Sequence, residues 1–309
     1  MSPRHEPVLV AEVLAFLRGG PGLYLDATLG DGGHAEALLD VEPQARLLGN
    51  DRDPESLAAA RRRLAHFGDR VTLIHGTFRE LPAAFQRTGG ERFAGALLDL
   101  GLSSRQIDEP ARGMSYLADG PLDLRMDPGH GEPAWKLLER VTEEDLAAVL
   151  REHGDLPHAR RLGRAMVAAA GRGELRTTRA LAALVDRTLR DGSRTRRRAQ
   201  AFQALRVWVN EEADDLEAAL QWLPGVMRPG GVVVTLAYHS GEDRRIKRAL
   251  RGPVPAGRAR RLPEGMQERP PEGPWQEMTR KVVTPSPRER AANPRSRSAR
   301  LRAFRRKHA

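Results

Sequence analysis

Between Leu23 and about Leu100 the chain alternates short apolar runs with stretches of helical period. The runs LYLDAT, ARLLGND, RVTLIHG and FAGALLDLG have strand length, and between them fall a helix opening at His34 and another over 54–67. Alternation of this kind predicts a parallel sheet flanked by helices. The next run of comparable quality, GGVVVTLAYHS at 230–240, comes more than a hundred residues later. Between the two the pattern is mainly helical, over 142–152, 159–170, 178–190 and 199–223. The late strand is too isolated to found a sheet of its own, so the pattern predicts a doubly wound α/β sheet interrupted by a helical insertion. The expected boundaries are 1–106 with 213–309 for the sheet domain and 107–212 for the insertion. Past Leu250 the segments RGPVPAGRARRLPEG and RPPEGPW predict a long exposed loop, and MTRKVVTPS is a candidate last strand.

With 309 residues the chain can bury a core that needs no staple. It has no cysteine, which excludes disulfides, thiolate metal sites and a cysteine nucleophile. Pro3, Arg4, His5, Glu6 and Pro7 stand where a signal peptide needs an apolar run, and no later stretch approaches a membrane span. The expectation is a soluble, cytoplasmic protein without membrane or metal. The 51 basic and 41 acidic residues leave a charge of +10, carried mainly by arginine. That balance suits a nucleic-acid partner, and equally a high-GC genome that writes Arg for Lys. From Arg288 onward basic residues, Arg295 and Arg297 among them, face Glu289 alone. Such a tail is either a solvated terminus or an arm that contacts phosphates.

The first strand ends in Asp26 and runs into ATLGDGGH, so Gly30, Gly32 and Gly33 occupy the first strand-to-helix turn, where backbone approaches a ligand without Cβ interference. The turn matches neither G-x-G-x-x-G nor a phosphate-binding loop with Lys-Ser/Thr. At the end of the second strand Asp51 stands where an acid accepts from ribose hydroxyls; Asp53, opening the next helix, reads as an N-cap. Phe78 follows the third strand and suits either an adenine face or the core. Asp99 ends the fourth strand beside the switch point of the sheet. Acids at three strand ends with an aromatic at another favour an adenosine-containing cofactor.

These blocks carry a resemblance. From HEPVLVAEVL through DATLGDGGHAEALL, GNDRDPESL, HGTF, LLDLGLSSRQID, RGMSY, GPLDLRMD, FQALRVWVNEE and PGGVVVTLAYHSGEDRRIK to NPRSRSARLR, the chain resembles the RsmH (MraW) family of ribosomal RNA methyltransferases over nearly its whole length. The resemblance implies a class I methyltransferase (Rossmann-like) sheet with an inserted helical substrate-recognition domain. It implies transfer of methyl from S-adenosylmethionine to N4 of a cytidine in the decoding centre of 16S ribosomal RNA, within the small subunit. It also implies cofactor contacts from Gly32, Gly33, His34, Asp51, Phe78, Asp99 and Gln106. The chain departs from the family pattern at HGDL (153–156), at RTRRRAQ before FQALR, and at HSGED (239–243), and none of these removes a cofactor residue.

An exocyclic cytosine amine is a weak nucleophile because its lone pair is delocalised, so acceptor placement and alignment are the expected catalysis. Methylation at C5 generally needs a cysteine, which is missing. The Asn/Asp-Pro-Pro-aromatic element of many amino methyltransferases is replaced by DLGLSS, which leaves Asp99 either to hold the cofactor or to receive the amine. Ser103 and Ser104 of that segment are candidate RNA contacts. Asp123 and Arg125 of PLDLRMD, with His239 and Ser240 after the late strand, are candidates for the cytidine pocket, and Arg295 and Arg297 for phosphates. Asp99, Asp123 and His239 are the expected catalytic residues. A nicotinamide dehydrogenase would need the glycine fingerprint that is absent here, whereas a noncatalytic RNA-binding protein would not need the cofactor crevice.

Overall fold

The computed structural model describes residues 7–251 and 273–308; the loop expected beyond Leu250 lies largely at 252–272, outside them. The chain divides into two compact units, one built from the residues up to Gly101 and from Asp215 onward, the other from Leu102–Asp214. Ser103, Ser104 and Gln106, grouped with the sheet on sequence, therefore belong to the second unit.

In chain order the first unit contains α1 (Val10–Leu17), β1 (Gly22–Asp26), α2 (Gly33–Val41), β2 (Ala45–Asp51), α3 (Pro54–Leu64), β3 (Val71–His75), α4 (Leu81–Arg87) and β4 (Phe93–Asp99). The second unit follows with α5 (Ser104–Asp108), α6 (Ala134–Leu138), α7 (Glu143–Gly154), α8 (Ala159–Gly171), α9 (Thr178–Thr188) and α10 (Arg194–Val209). α11 (Glu212–Val226) crosses the seam, and β5 (Met227–Ala237), α12 (Ser240–Arg251), β6 (Trp275–Glu277), α13 (Pro287–Ala292) and β7 (Arg300–Arg306) complete the first unit.

The strands form one sheet in the order β3-β2-β1-β4-β5-β7-β6. The first five are parallel; β7 runs antiparallel to both β5 and β6. Successive strand residues point to opposite faces, which assigns Leu47, Leu97 and Val234 to one buried layer and Leu48, Leu98 and Val233 to the other. Both faces are covered, which is why these strands read as continuous apolar runs rather than alternating ones. The chain winds outward from β1 in one direction and from β4 in the other, so their junction is the switch point at which such sheets bind ligands.

The helical unit has a separate core that includes Leu146, Leu150, Leu162, Met166, Val185 and Leu205. Helices α7, α9 and α10 start on capping side chains: Thr142 accepts from Asp145 N–H, Thr177 from Ala180 N–H and Ser193 from Arg196 N–H. The single helix expected over 199–223 is two helices. Glu211 takes a left-handed φ of 51°, and Asn210 uses its amide at the break, donating to Leu124 O and Arg206 O and accepting from Met126 N–H.

The tail also differs from expectation. Residues 300–306 form neither a solvated terminus nor a free arm but β7, with Leu301, Ala303 and Phe304 fully buried inside the sheet. The candidate strand MTRKVVTPS is not a strand: Val283 makes an isolated bridge to Leu301, Met278 N–H donates to Ala303 O at 2.9 Å, and the edge strand β6 lies just before them. Among the described residues no helix is long and apolar enough to cross a membrane.

Candidate active site at the C-terminal edge of the sheet

Asp26, Asp51 and Asp99 end β1, β2 and β4 at one edge of the sheet. The turn after β1 depends on glycine. Gly30 and Gly32 hold φ of +53° and +81°, and a Cβ on Gly30 would meet nothing within 4 Å, so the backbone there is bare on its open side. At Gly33 a Cβ would collide with the Pro7 ring. Gly32 is the N-cap of α2, whose first-turn N–H groups lie beyond the reach of intrahelical bonding.

Asp51 clasps this turn to β2. Its Oδ2 accepts from Gly30 N–H at 2.7 Å and its Oδ1 from Asp53 N–H at 2.8 Å. Each oxygen keeps a second lone pair for a hydroxyl donor. Asp53 instead caps α3, accepting from Glu55 N–H at 3.0 Å.

Asp99 is the most constrained of the three acids. Its backbone N–H donates to Thr28 Oγ1 at 2.6 Å, and its Oδ1 accepts from the Tyr238 hydroxyl at 2.9 Å. The buried His34 places Nδ1 3.6 Å from Asp99 Oδ2, and its Nε2 lies 2.9 Å from the Val8 carbonyl. Burial pushes the Asp26 carboxyl up to about 8 and Asp51 to about 6, and raises Asp99, where the His34 charge and the Tyr238 bond act in the opposite direction. Desolvation and the neighbouring Asp99 carboxyl drive the Tyr238 phenol up as well. Three desolvated carboxyls at one edge are an arrangement that a positive charge completes. With the bare glycine backbone and a carboxylate able to accept from hydroxyls, this donor set fits a cationic nucleoside.

Beyond β5, Glu242 in the first turn of α12 organises the chain. Its Oε2 accepts from the backbone N–H of Tyr238 at 2.7 Å and of His239 at 3.2 Å, and its Oε1 lies 3.0 Å from His239 Nε2. Ser240 is exposed at the start of the same helix. Phe78, half-buried, packs against the core, and its backbone N–H donates to the buried Asp215 at 3.0 Å, as does that of Arg79. Arg295 and Arg297 are exposed on the turn Pro294–Ser298 that leads into β7.

The other expected residues lie in the helical unit. Ser103 and Gln106 form a reciprocal cap on α5: Ser103 N–H donates to Gln106 Oε1 at 3.0 Å and Gln106 N–H to Ser103 Oγ at 3.2 Å, with Ser104 next to the cap. The Asp123 carboxylate is gripped at both oxygens by the Arg125 guanidinium, at 2.7 and 2.8 Å. That bond raises the Arg125 pKa. Leu124 between them takes φ 66°, so this pair shapes a tight loop whatever else it does.

Tyr238, Glu242, Asp215 and Thr28 were not singled out on sequence. Glu242, three residues past His239 at a helix start, carried a local signal. Tyr238 reads as one more strand residue, and Asp215 acts on a segment more than a hundred residues away.

The family model described as the MraW methylase family matches residues 2–307. Among curated relatives, Ribosomal RNA small subunit methyltransferase H of Sorangium cellulosum (strain So ce56) is 44% identical over 98% of this chain and 91% of its own length. The proteins of the same name from Methylobacterium sp. (strain 4-46) and Anaeromyxobacter sp. (strain K) are 41% and 42% identical, each over 97% of this chain and over 90% and 97% of their own.

Proposed function

The chain belongs to the MraW methylase family, and from that membership we propose that it transfers a methyl group from S-adenosylmethionine to the exocyclic N4 of a cytidine in the decoding centre of 16S ribosomal RNA. Its sheet is the class I methyltransferase (Rossmann-like) sheet, and S-adenosylmethionine is its methyl donor. The reaction belongs in the cytoplasm, on the small ribosomal subunit, with residues 107–212 as the substrate-recognition domain. The reading draws its chemical support from one observation above all: three desolvated acids converge on a glycine turn at the switch point.

When bound, S-adenosylmethionine supplies a methyl group already activated by its sulfonium. Gly32, Gly33 and His34 would hold it with Asp51, Phe78, Asp99 and Gln106. What is left for the protein is to make the amine nucleophilic and to take its proton. Asp99 suits that role, because a carboxyl raised above its ordinary range is a better base at neutral pH than an exposed one. Tyr238 fixes the direction of its carboxyl, and Thr28 anchors its backbone N–H. Glu242 holds His239, which we assign to the cytidine pocket with Ser240, while Asp123 acts through Arg125 by setting its direction. Ser103 and Ser104 are assigned to the RNA. The lack of cysteine supports N4 over C5 as the acceptor, because ring attack at C5 generally needs a thiolate.

The test is nucleoside mass spectrometry of small-subunit RNA from cells with and without the gene, and from cells carrying only Asp99→Asn. One N4-methylcytidine signal should disappear from the second and third samples; its persistence without the gene would end the proposal.

A further inference from the structure

The positive charge of this chain is unevenly placed. Residues Leu102–Asp214 carry 19 basic and 18 acidic side chains, whereas 274–308 carries eleven basic against two acidic. Both acids of that segment are already engaged: Glu277 with Arg251 and Arg302, and Glu289 with the backbone N–H of Leu9. Arg302 is neutralised within the fold by Asp243 at 2.6 Å.

The register of β7 shows where the rest of the charge sits. Asp99 pairs with Leu236, Leu236 with Leu301, and Arg300 with Ala237 one residue further out. The start of β7 and the turn Pro294–Ser298 before it therefore lie at the same sheet edge as the Asp99 carboxyl. The turn is rigidly made. Asn293 Oδ1 accepts from Arg295 N–H at 3.2 Å, the fully buried Ser296 donates its hydroxyl to Asn293 O at 2.7 Å, and Ala299 N–H donates to Ser296 O at 2.8 Å. On this pinned backbone Arg295 and Arg297 are exposed, and so is Arg300, which also reaches Asp243 Oδ2 at 3.8 Å. The segment is also tied to the acid cluster, because Glu289 holds Leu9 while Val8 meets His34, the neighbour of Asp99.

We propose that this arginine rim, rather than the surface of the helical unit, is the principal phosphate-docking site of the enzyme, taking the RNA backbone that flanks the methylated nucleotide. The proposal rests on the reading of RNA as substrate. Guanidinium groups grip phosphates through paired N–H donors, and a rigid turn presents them with little ordering cost. The helical unit, with balanced charge, offers little long-range attraction to a polyanion. A lipid surface is disfavoured, because the large apolar side chains exposed among the described residues are Val41 and Leu117, neither of which lies on this segment.

The test compares wild type, R295Q/R297Q, R295K/R297K and R160Q/R161Q, the last pair exposed on α8. Each protein is titrated over a range of potassium chloride with a short single-stranded oligoribonucleotide containing cytidine and with small ribosomal subunits. S-adenosylmethionine calorimetry and melting curves show whether each variant is folded. On the single strand, R295Q/R297Q should flatten the plot of log affinity against log salt by about 1.4, at about 0.7 for each phosphate no longer neutralised. R295K/R297K should keep most of the wild-type slope, and R160Q/R161Q all of it. A wild-type slope in R295Q/R297Q, or an equal flattening in R160Q/R161Q, overturns the rim. A wild-type protein with no salt-dependent RNA affinity overturns the substrate reading and the rim with it, so the two failures are distinguishable.

Discussion

Replacing Tyr238 with phenylalanine removes one oxygen atom and should move the whole pH profile of methyl transfer. The hydroxyl donates to Asp99 Oδ1 at 2.9 Å, and the Asp99 side chain is only 22% exposed, so water replaces the missing donor poorly. A hydrogen bond to a charged group contributes about 1.5–3 kcal/mol, and one pKa unit corresponds to about 1.4 kcal/mol. The bond favours the ionised carboxylate. Its loss therefore raises the Asp99 pKa, which burial has already lifted, by a further one to two units on the order of that hydrogen-bond energy. If ionised Asp99 takes the amine proton, the acid limb of the rate profile moves up by the same amount while the high-pH plateau survives. Single-turnover transfer to small ribosomal subunits at saturating S-adenosylmethionine, from mildly acidic to alkaline pH, reads this directly. A limb that stays in place in a variant with wild-type donor affinity and melting temperature would falsify the assignment of Asp99 as base.

Asp51→Asn keeps the shape of the side chain but can accept from only one of Gly30 and Asp53 without meeting an N–H donor head-on, so calorimetry should show donor affinity reduced by about 10- to 100-fold, from the roughly 1–3 kcal/mol of an unmade bond. Because Asp26 titrates near 8 and Asp51 near 6 in the fold, the native state binds protons that the unfolded chain has released, so their contribution to stability falls as pH rises from about 4 to about 8 and is flat above. Urea midpoints of Asp26→Asn should lose most of the decline between pH 6 and 8; an unchanged decline would refute the assignment. Burial alone would raise Asp243, but Arg302 and Lys247 hold its carboxyl below the usual range. Arg302→Leu should therefore cost about 3 kcal/mol or more in urea unfolding, and the double variant R302L/D243L should recover part of it.

The features legible in the sequence are those set by local rules. Strand-ending acids announce themselves because Asp26, Asp51 and Asp99 interrupt apolar runs, and the glycine turn because Gly30 and Gly32 occupy a conformation other residues avoid. The insertion shows as a long helical stretch between strands. Long-range pairing decided the rest. Arg302 looks like one more basic tail residue until Asp243 is brought beside it, and the RLRAF stretch does not alternate cleanly, because β7 lies inside the sheet with Arg302 itself buried. The helix break at Asn210 was hidden for a related reason, since the amide is satisfied by loop carbonyl and N–H groups at Leu124 and Met126, far back in the chain. Tyr238 gains its meaning only from Asp99, on a neighbouring strand.

β4 and β5 are direct neighbours in the sheet, yet the entire helical unit is threaded between them. Joining the two ends of so long a connection in an unfolded chain forfeits about 4 kcal/mol of loop-closure entropy, from the logarithmic dependence on length. An early-condensing insertion with its own core would shorten that effective loop before the sheet has to close. The helices then assist the closing of the sheet, and variants that loosen their packing should slow its refolding even where the finished enzyme is fully active.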